Sequence, residues 1–236
     1  MTATLQVGAA VRVPATATDI VAAMAAAVDR FRPADDARLL AVTGTDVADA
    51  ADAADAADAE VTELDCMVTR HRADAIHQDI RALAADGTVA HTIGLRWSVD
   101  TTPGHPGIAD VGSVDWGRRL AQRLADDAGF ASSVSTFDGT IGFASGAEEV
   151  RFRIYRGRII ETARKSLDGT TFDVAADERT WVELLLGEHD DYVRFAARGR
   201  FRVLGSGFQY LRMTRTVRLM VAAARAMARE NDADQR

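Results

Sequence analysis

Cysteine and lysine are almost absent from this chain of 236 residues. Cys66 is the only cysteine, so one chain cannot form an internal disulfide or contain a CxxC metal or redox site. It lies in the apolar run 64–68, which predicts a buried thiol. Lys165 is the only lysine, so arginine carries almost all of the positive charge. The formal net charge of −7 argues against general nucleic-acid binding, which needs clustered cationic side chains.

Long hydrophobic runs are also missing from the sequence. The N-terminus has no charged segment followed by a long apolar stretch, so no signal peptide is predicted. No run reaches the length that a membrane span requires. We therefore expect a cytoplasmic protein. Apolar residues still make up 47% of the chain, which is enough to bury a core.

Two segments of unusual composition suggest how the chain is organised. Residues 46–60 consist almost wholly of Ala and Asp, with an Asp at every third position. No large apolar residue follows Val47, so we expect a solvated helix or a flexible connector. A divalent-cation loop would need a turn-forming glycine and more varied ligand spacing. The breaker 103–107 then predicts a boundary between an N-terminal α/β region, residues 1–110, and a second domain, residues 111–236.

Apolar periodicity predicts the elements of both regions. In the first region it predicts a helix ending near Phe31, strands at 37–43 and 61–69, a helix at 73–85 and a strand at 89–99. His91 lies on the apolar side of that last strand, which favours a core histidine. In the second region it predicts a helix capped by Asp115, strands at 140–144, 150–155, 158–163, 171–175 and 199–204, a helix at 178–186 and a final helix at 208–229.

Three stretches of the second region carry a family resemblance. Thr171-Phe172-Asp173-Val174-Ala175-Ala176-Asp177 leads into Trp181-Val182-Glu183-Leu184-Leu185-Leu186-Gly187-Glu188, and Gly199-Arg200-Phe201-Arg202-Val203-Leu204-Gly205 follows twelve residues after Gly187. This strand, Asp-containing turn, Leu-rich helix and Gly-basic-apolar strand closely resemble the SCP2-like (sterol carrier protein 2) domain over residues 114–229. The chain departs from many relatives at Gly205-Ser206-Gly207-Phe208, where they have an acidic residue or Asn after the first glycine.

The resemblance implies an α+β fold in which helices cover a mainly antiparallel sheet around an apolar tunnel. It implies binding of a sterol, a fatty acid or a fatty acyl-CoA, and it carries over no catalytic residue. The candidate ligand contacts are apolar residues of the second domain: Phe152, Ile154, Trp181, Leu185, Phe201, Val203, Phe208, Met213, Val217 and Met220.

The final helix has an apolar stripe opposite an arginine face. The stripe is Tyr210, Met213, Val217, Met220, Ala224 and Met227, and it suits a tunnel wall or ordinary core packing. The opposite face carries Arg212, Arg215, Arg218, Arg225 and Arg229. That face is a solvated surface or a site for acyl-CoA phosphate and anionic headgroups, which would give peripheral membrane contact. Leu211 and Leu219 project among the arginines, which suggests docking on the N-terminal region or on a partner chain, as in a homodimer.

No pattern of catalysis or metal binding is visible. The five histidines form no HExxH or HxxxH pair, and no GxSxG elbow, dinucleotide fingerprint or P-loop occurs. We therefore predict no cofactor, no metal and no catalytic residue. Two functions remain open. One is binding or transfer of a hydrophobic ligand. The other is an enzyme acting on a hydrophobic or steroid-like substrate, which a buried titratable pair facing the tunnel would favour.

Overall fold

A computed structural model gives the fold over residues 7–8, 10–17, 20–33, 37–45, 60–71, 75–98, 110–164 and 169–234. The chain divides into two compact units, residues 1–106 and 107–236, called here the first and second unit. Two of the sequence features, the Ala/Asp stretch at 46–59 and the breaker at 103–107, lie outside the described residues. No helix in the described ranges is long and apolar enough to cross a membrane.

In its described residues, the first unit is a five-stranded sheet with one helix on it. The strands pair in the order β1-β3-β4-β5-β2, and every pair is antiparallel. The elements are β1 (Ala10–Ala17), α1 (Ile20–Arg30), β2 (Arg38–Thr45), β3 (Val61–His71), β4 (Ile76–Ala84) and β5 (Val89–Ser98). Ala23 and Ala27 of α1 pack in one core cluster with Cys66 and Trp97, which confirms the buried thiol. The N-terminal α/β region that the sequence predicts is not confirmed, since every described strand pair in this unit is antiparallel.

The strand β4 replaces the helix predicted at 73–85. Ile76 and Ile80 are four residues apart, a spacing that puts two side chains on one side of a helix and also on one face of a strand. The deciding residue is Gln78, which is buried between them although it is polar. Its Oε1 accepts a hydrogen bond of 2.7 Å from Nε1 of Trp97 on β5. His91 is only partly buried, so it is not the core histidine that the alternation predicts.

The second unit is an α+β fold with a mixed, mainly antiparallel five-stranded sheet. The order is β10-β9-β6-β7-β8, in which only the described pair β6–β9 is parallel. Its elements are α2 (Val114–Ala125), α3 (Ala128–Ser133), β6 (Asp138–Ser145), β7 (Glu148–Tyr155), β8 (Arg158–Ala163), β9 (Phe172–Ala176), α4 (Glu178–Leu186), α5 (Tyr192–Ala197), β10 (Arg202–Gly205), α6 (Gly207–Arg212) and α7 (Thr214–Asp234).

Caps and turns explain where several of these elements begin and end. The side chain of Asp177 accepts a 2.6 Å hydrogen bond from the backbone N–H of Thr180, which confirms the predicted N-cap of α4. The predicted cap at Asp115 is wrong, because Ser113 performs that role for α2. Arg156 and Gly157 both have positive φ, as a two-residue hairpin turn between β7 and β8 requires.

The helices lie in two tiers over the sheet. α2 lies directly against β7 and β8, and a Cβ on Gly117 would come within 2.5 Å of Cγ2 of Val150. α7 packs instead on the helices α2, α3 and α4. The final helix predicted as one element is two, because α6 ends at Arg212 and α7 begins at Thr214. The short helices α3 and α5 were not predicted.

Candidate ligand-binding interior

The helix-covered face of the second sheet is apolar and fully buried. Phe143 on β6 pairs in register with Val150 on β7 and with Val174 on β9, so their side chains share one face. The same alternation places further side chains with none of their surface exposed on this face: Ile141, Phe152, Ile154 and Phe172. The sheet therefore offers a continuous apolar floor to whatever lies between it and the helices.

Phe143 is the centre of an aromatic cluster on that floor. Its ring centroid lies 6.2 Å from that of Trp116 on α2, 5.8 Å from Phe152 and 5.2 Å from Trp181 on α4. Trp181 also contacts Phe201 edge to face at 4.9 Å. The indole N–H of Trp181 donates a 2.7 Å hydrogen bond to the main-chain oxygen of Ala144. This bond fixes the indole against the sheet, so α4 is anchored by its tryptophan.

A pair of tyrosines extends the cluster toward α6. The hydroxyl groups of Tyr192 and Tyr210 lie 2.9 Å apart. Tyr192 contacts Phe201 at 5.2 Å, and Tyr210 contacts Phe172 edge to face at 5.8 Å. Burial, and secondly the hydrogen bond with Tyr210, raise the pKa of Tyr192 far above its ordinary range. The interior therefore contains a hydrogen-bonded pair of phenol groups within its aromatic lining.

Two buried polar groups in this region form no hydrogen bond in the described part of the chain. They are Nε1 of Trp116 and Oγ of Ser145. Ser145 is two residues from Phe143 on the same face of β6, and the Trp116 ring contacts Phe143. Buried polar groups are usually hydrogen-bonded, since desolvation without a partner costs about 1–3 kcal/mol. A donor and a hydroxyl group therefore remain available at the end of the apolar floor.

The predicted contact residues divide into those that reach the aromatic cluster and those that do not. Trp181, Phe201 and Phe152 belong to it. Ile154 on β7 and Leu185 on α4 are fully buried, as are the α7 residues Val217 and Met220, while Met213 is nearly so. Val203 is half-buried. Phe208 is 69% exposed, so it lies outside the buried interior, and its contact with a ligand stays a prediction.

The reason that Phe208 points outward lies in the geometry of α6. Two residues along a helix turn the side chain by about 200°, so Phe208 and Tyr210 leave the helix on nearly opposite sides. Because Tyr210 bonds to Tyr192, Phe208 is directed away from the interior. The stripe on α7 is confirmed in part. Met213, Val217, Met220, Ala224 and Met227 are buried, and the helix packs against other helices rather than directly on the sheet.

Arg225 departs from the predicted arginine face, since it is only 6% exposed. Its guanidinium group donates hydrogen bonds to the main-chain oxygens of Leu184 and Gly187 at the end of α4. Burial and then the charge of Arg229 lower the pKa of Arg225, while Asp190 and Asp191 oppose this. The predicted solvated position is therefore wrong. A helix C-terminus with orphan carbonyl groups is a favourable place for a buried cation.

One network of charges is partly buried beside the cluster. Glu183 on α4 lies between Arg179 at 2.8 Å and Arg200 at 2.6 Å, and Arg200 also donates to Oγ1 of Thr180. The guanidinium of Arg200 stacks over the ring of Phe195 at 4.1 Å. These bonds join α4 to the segment before β10, which is a structural role. Among the described residues, no group of three or more His, Cys, Asp or Glu could hold a metal ion.

Several residues of the interior were not identified from the sequence. Phe143 was visible as an apolar residue alternating with Ile141 in a predicted strand, but alternation does not show which residue will be central. Tyr192 lies in a helix that was not predicted, and Trp116 was assigned only to the apolar side of its helix. The unbonded state of the Trp116 N–H has no sequence signature, because it depends on what surrounds the indole.

Comparison with known proteins gives structural similarity over about half the chain. No family model matches, and no curated protein matches either. A solved structure of sterol carrier protein 2 aligns at 17% identity and a TM-score of 0.42, covering 48% of this chain and 95% of its own. A conserved hypothetical protein from Thermus thermophilus, described as possibly a sterol carrier protein, aligns at 17% identity and a TM-score of 0.43 over 54% of this chain and 95% of its own.

A third similar structure is the sterol carrier protein domain 2 of Helicoverpa armigera. It aligns at 15% identity and a TM-score of 0.36, over 52% of this chain and 95% of its own. Identities and TM-scores this low do not assign the chain to a family. A function of the second unit therefore has to be inferred from the residues of its own interior.

Proposed function

We propose that the second unit binds or transfers a hydrophobic ligand, namely a sterol, a fatty acid or a fatty acyl-CoA, between its sheet and its helices. The observation that carries the proposal is the aromatic cluster around Phe143 with the two unbonded groups, Trp116 Nε1 and Ser145 Oγ, at its edge. Ligand sites for small apolar molecules are mostly apolar with a few placed polar groups. This combination provides both.

The chemistry of the two groups limits the ligand class. The indole N–H is a donor only, and the serine hydroxyl group both donates and accepts. A ligand with a hydroxyl, carbonyl or carboxyl group on a long apolar body would offer these groups a polar partner while its apolar body lies on the floor of the sheet. Met213, at the end of α6, and Met220 on α7 suit ligands of variable shape because their side chains are flexible.

The first experiment identifies any ligand that copurifies. The purified chain would be extracted with organic solvent and the extract analysed by mass spectrometry. We expect a stoichiometric lipid with one polar end. In parallel, Trp97→Phe leaves Trp116 and Trp181, the two tryptophans of the aromatic cluster, and their fluorescence should change when a fatty acid or a sterol is added. No extracted lipid, together with no change across panels of both classes, would contradict the proposal.

A second experiment tests whether the Ser145 hydroxyl group contacts the polar end of the ligand. Ser145→Ala removes a buried hydroxyl group that has no partner among the described residues, so it should leave stability unchanged or slightly raised while weakening ligand affinity. The matched control is Thr216→Val, because the hydroxyl group of Thr216 is equally buried but bonds to Ser133 at 3.0 Å. That control should lose stability and retain affinity. Equal affinity in Ser145→Ala and the wild type would show that the hydroxyl group does not contact the ligand.

A further inference from the structure

Three large apolar side chains protrude where β10 leads into α6. Leu204 is 51% exposed, Phe208 is 69% exposed and Leu211 is 72% exposed. Single exposed apolar residues are common on protein surfaces, but a group of them marks an interaction site. Phe208 and Leu211 are three residues apart on one helix, so they lie on the same side. We call these three residues the α6 patch.

The α6 helix is firmly held, so the exposure does not come from a frayed segment. Ser206 caps it by accepting a hydrogen bond from the backbone N–H of Gln209. On the inner side, Tyr210 is held by the Tyr192 hydroxyl group and by the ring of Phe172. The preceding turn uses Gly205 at a φ of 88°, a conformation that favours glycine. α6 therefore presents a fixed apolar side to the exterior.

Arginine is the only charged residue type in the sequence around the α6 patch, although Asp173 on β9 lies in register with Leu204. Residues 192–229 contain nine arginines and no Asp or Glu, although the whole chain has a net charge of −7. Four of these arginines flank the patch, are exposed and form no ion pair in the described part of the chain: Arg202, Arg212, Arg215 and Arg218. The guanidinium of Arg212 lies 5.7 Å from the ring centroid of Phe208. Apolar and cationic groups are therefore interleaved on one surface.

We propose that the α6 patch and its arginines dock the protein on the surface of an anionic lipid bilayer. Peripheral membrane elements insert apolar side chains at the headgroup boundary while Lys and Arg contact anionic lipids. Docking through the arginine face of the final helix alone would lack insertion, and Arg225 of that face is buried. The structure places the apolar contribution on α6 and β10 instead.

Two other occupants fit the surface less well. A nucleic acid would use the arginines but has no use for a protruding phenylalanine and two leucines. A second copy of the chain would cover the apolar side chains, but a symmetric dimer brings the same patch against itself. That arrangement would place the four arginines of one copy against those of the other with no acidic partner nearby in the sequence. An anionic bilayer satisfies both kinds of side chain.

The experiment is vesicle cosedimentation with the full chain. The wild type should bind vesicles of phosphatidylglycerol and phosphatidylcholine, and binding to pure phosphatidylcholine should be at least tenfold weaker. Phe208→Ser with Leu211→Ser should reduce binding to the anionic vesicles about tenfold or more. Ile160→Ser is the matched control, since Ile160 is 54% exposed on β8, at the opposite edge of the sheet from β10, and it should bind as the wild type does.

Charge reversal tests the contribution of the arginines to docking. Arg212→Glu with Arg215→Glu should abolish binding to the anionic vesicles, whereas Arg156→Glu, on the exposed turn after β7, should have little effect. Circular dichroism and thermal melting show whether each variant is folded. Ligand binding, measured without vesicles by the fluorescence of Trp116 and Trp181 in the Trp97→Phe background, should survive the Phe208 and Leu211 changes. A failure of docking is thereby separated from a failure of the proposed ligand function.

Four results would overturn the docking proposal. One is an absence of binding to anionic vesicles by the wild type, and another is equal binding by the folded Phe208 and Leu211 variant. A third is DNA binding as strong as vesicle binding that depends on the arginines alone. The fourth is a wild-type dimer that the Phe208 and Leu211 changes convert to a monomer, because the α6 patch would then be a subunit interface.

Discussion

Arg225 in the final helix donates a 2.7 Å hydrogen bond to the main-chain oxygen of Gly187. A second bond from the same guanidinium group reaches the oxygen of Leu184. Since these oxygens end α4, the arginine fastens α7 to the helix that carries Trp181. The charged side chain of Arg225 thus helps to join α4 and α7, the two helices that enclose the proposed ligand site.

Removing this link should destabilise the second unit. We expect Arg225→Met to lower the free energy of unfolding by about 3 kcal/mol, because two buried carbonyl groups lose a charged donor. Arg225→Lys should fall between the wild type and this variant, since one ammonium group cannot match the planar fork of arginine. Urea denaturation measures all three free energies.

Arg229 provides the control for that measurement. It bonds to the oxygen of Glu188 at 3.0 Å but is exposed, so Arg229→Met should change stability by less than about 1 kcal/mol. If Arg225→Met and Arg229→Met were equally mild, the buried bonds would not contribute as the geometry indicates.

Tyr192 should make stability depend on alkaline pH. Its pKa in the folded chain is raised above the ordinary value of 10.0, so its contribution is fully present below pH 10. Above that value the unfolded chain releases the phenolic proton while the folded chain retains it, and stability falls as the pH rises. Tyr192→Phe should lessen this fall between about pH 9 and pH 11, as measured by urea denaturation. An identical fall in the variant would assign the effect to other groups.

Filling the space beside α7 distinguishes a ligand cavity from solid packing. Val217→Trp with Met220→Trp should abolish lipid binding in a folded protein if a cavity adjoins these residues. In a solid core the added volume has no room, and overpacking costs about 1–3 kcal/mol or more. Lipid affinity and melting temperature are measured together. Leu219→Trp, on the partly exposed side of α7, should change neither property.

The three outcomes of that experiment differ in meaning. A folded double variant without affinity supports a ligand beside α7. A destabilised variant indicates ordinary packing of the final helix. A stable variant with full affinity places the ligand away from α7, and the aromatic cluster around Phe143 then becomes the region to alter next.

The sequence predicted local features of the second unit well. The cap at Asp177, the turn at Arg156 and Gly157 and the stripe on the final helix each follow from a few neighbouring residues, and each is present. Phe208 shows where this reasoning stops. Its apolar character favours burial, yet the bond between Tyr210 and Tyr192 determines which side of α6 faces inward. That bond joins residues on different helices and has no local signature.

The error at β4 has a different origin. Ile76 and Ile80 fit both a helix and a strand, and the residue between them that would have decided the matter, Gln78, is polar. A glutamine enters a core only when its polar atoms are bonded, as happens here with Trp97. The prediction that Arg225 lies on the solvated face of the final helix failed for the same reason. In both cases a buried polar side chain depends on a partner supplied by another element.

The parallel pairing of β6 with β9 has a consequence for the order of folding. β6, β7 and β8 form a meander of consecutive hairpins, whereas β9 must cross back to the other side of β6. Contacts between residues far apart in sequence form more slowly, so we expect the meander to form the nucleus. Ile154→Val should then slow folding, while Val203→Ala in β10 should mainly speed unfolding. Stopped-flow kinetics in urea measures both rates, and a larger folding defect in the β10 variant would reverse this order.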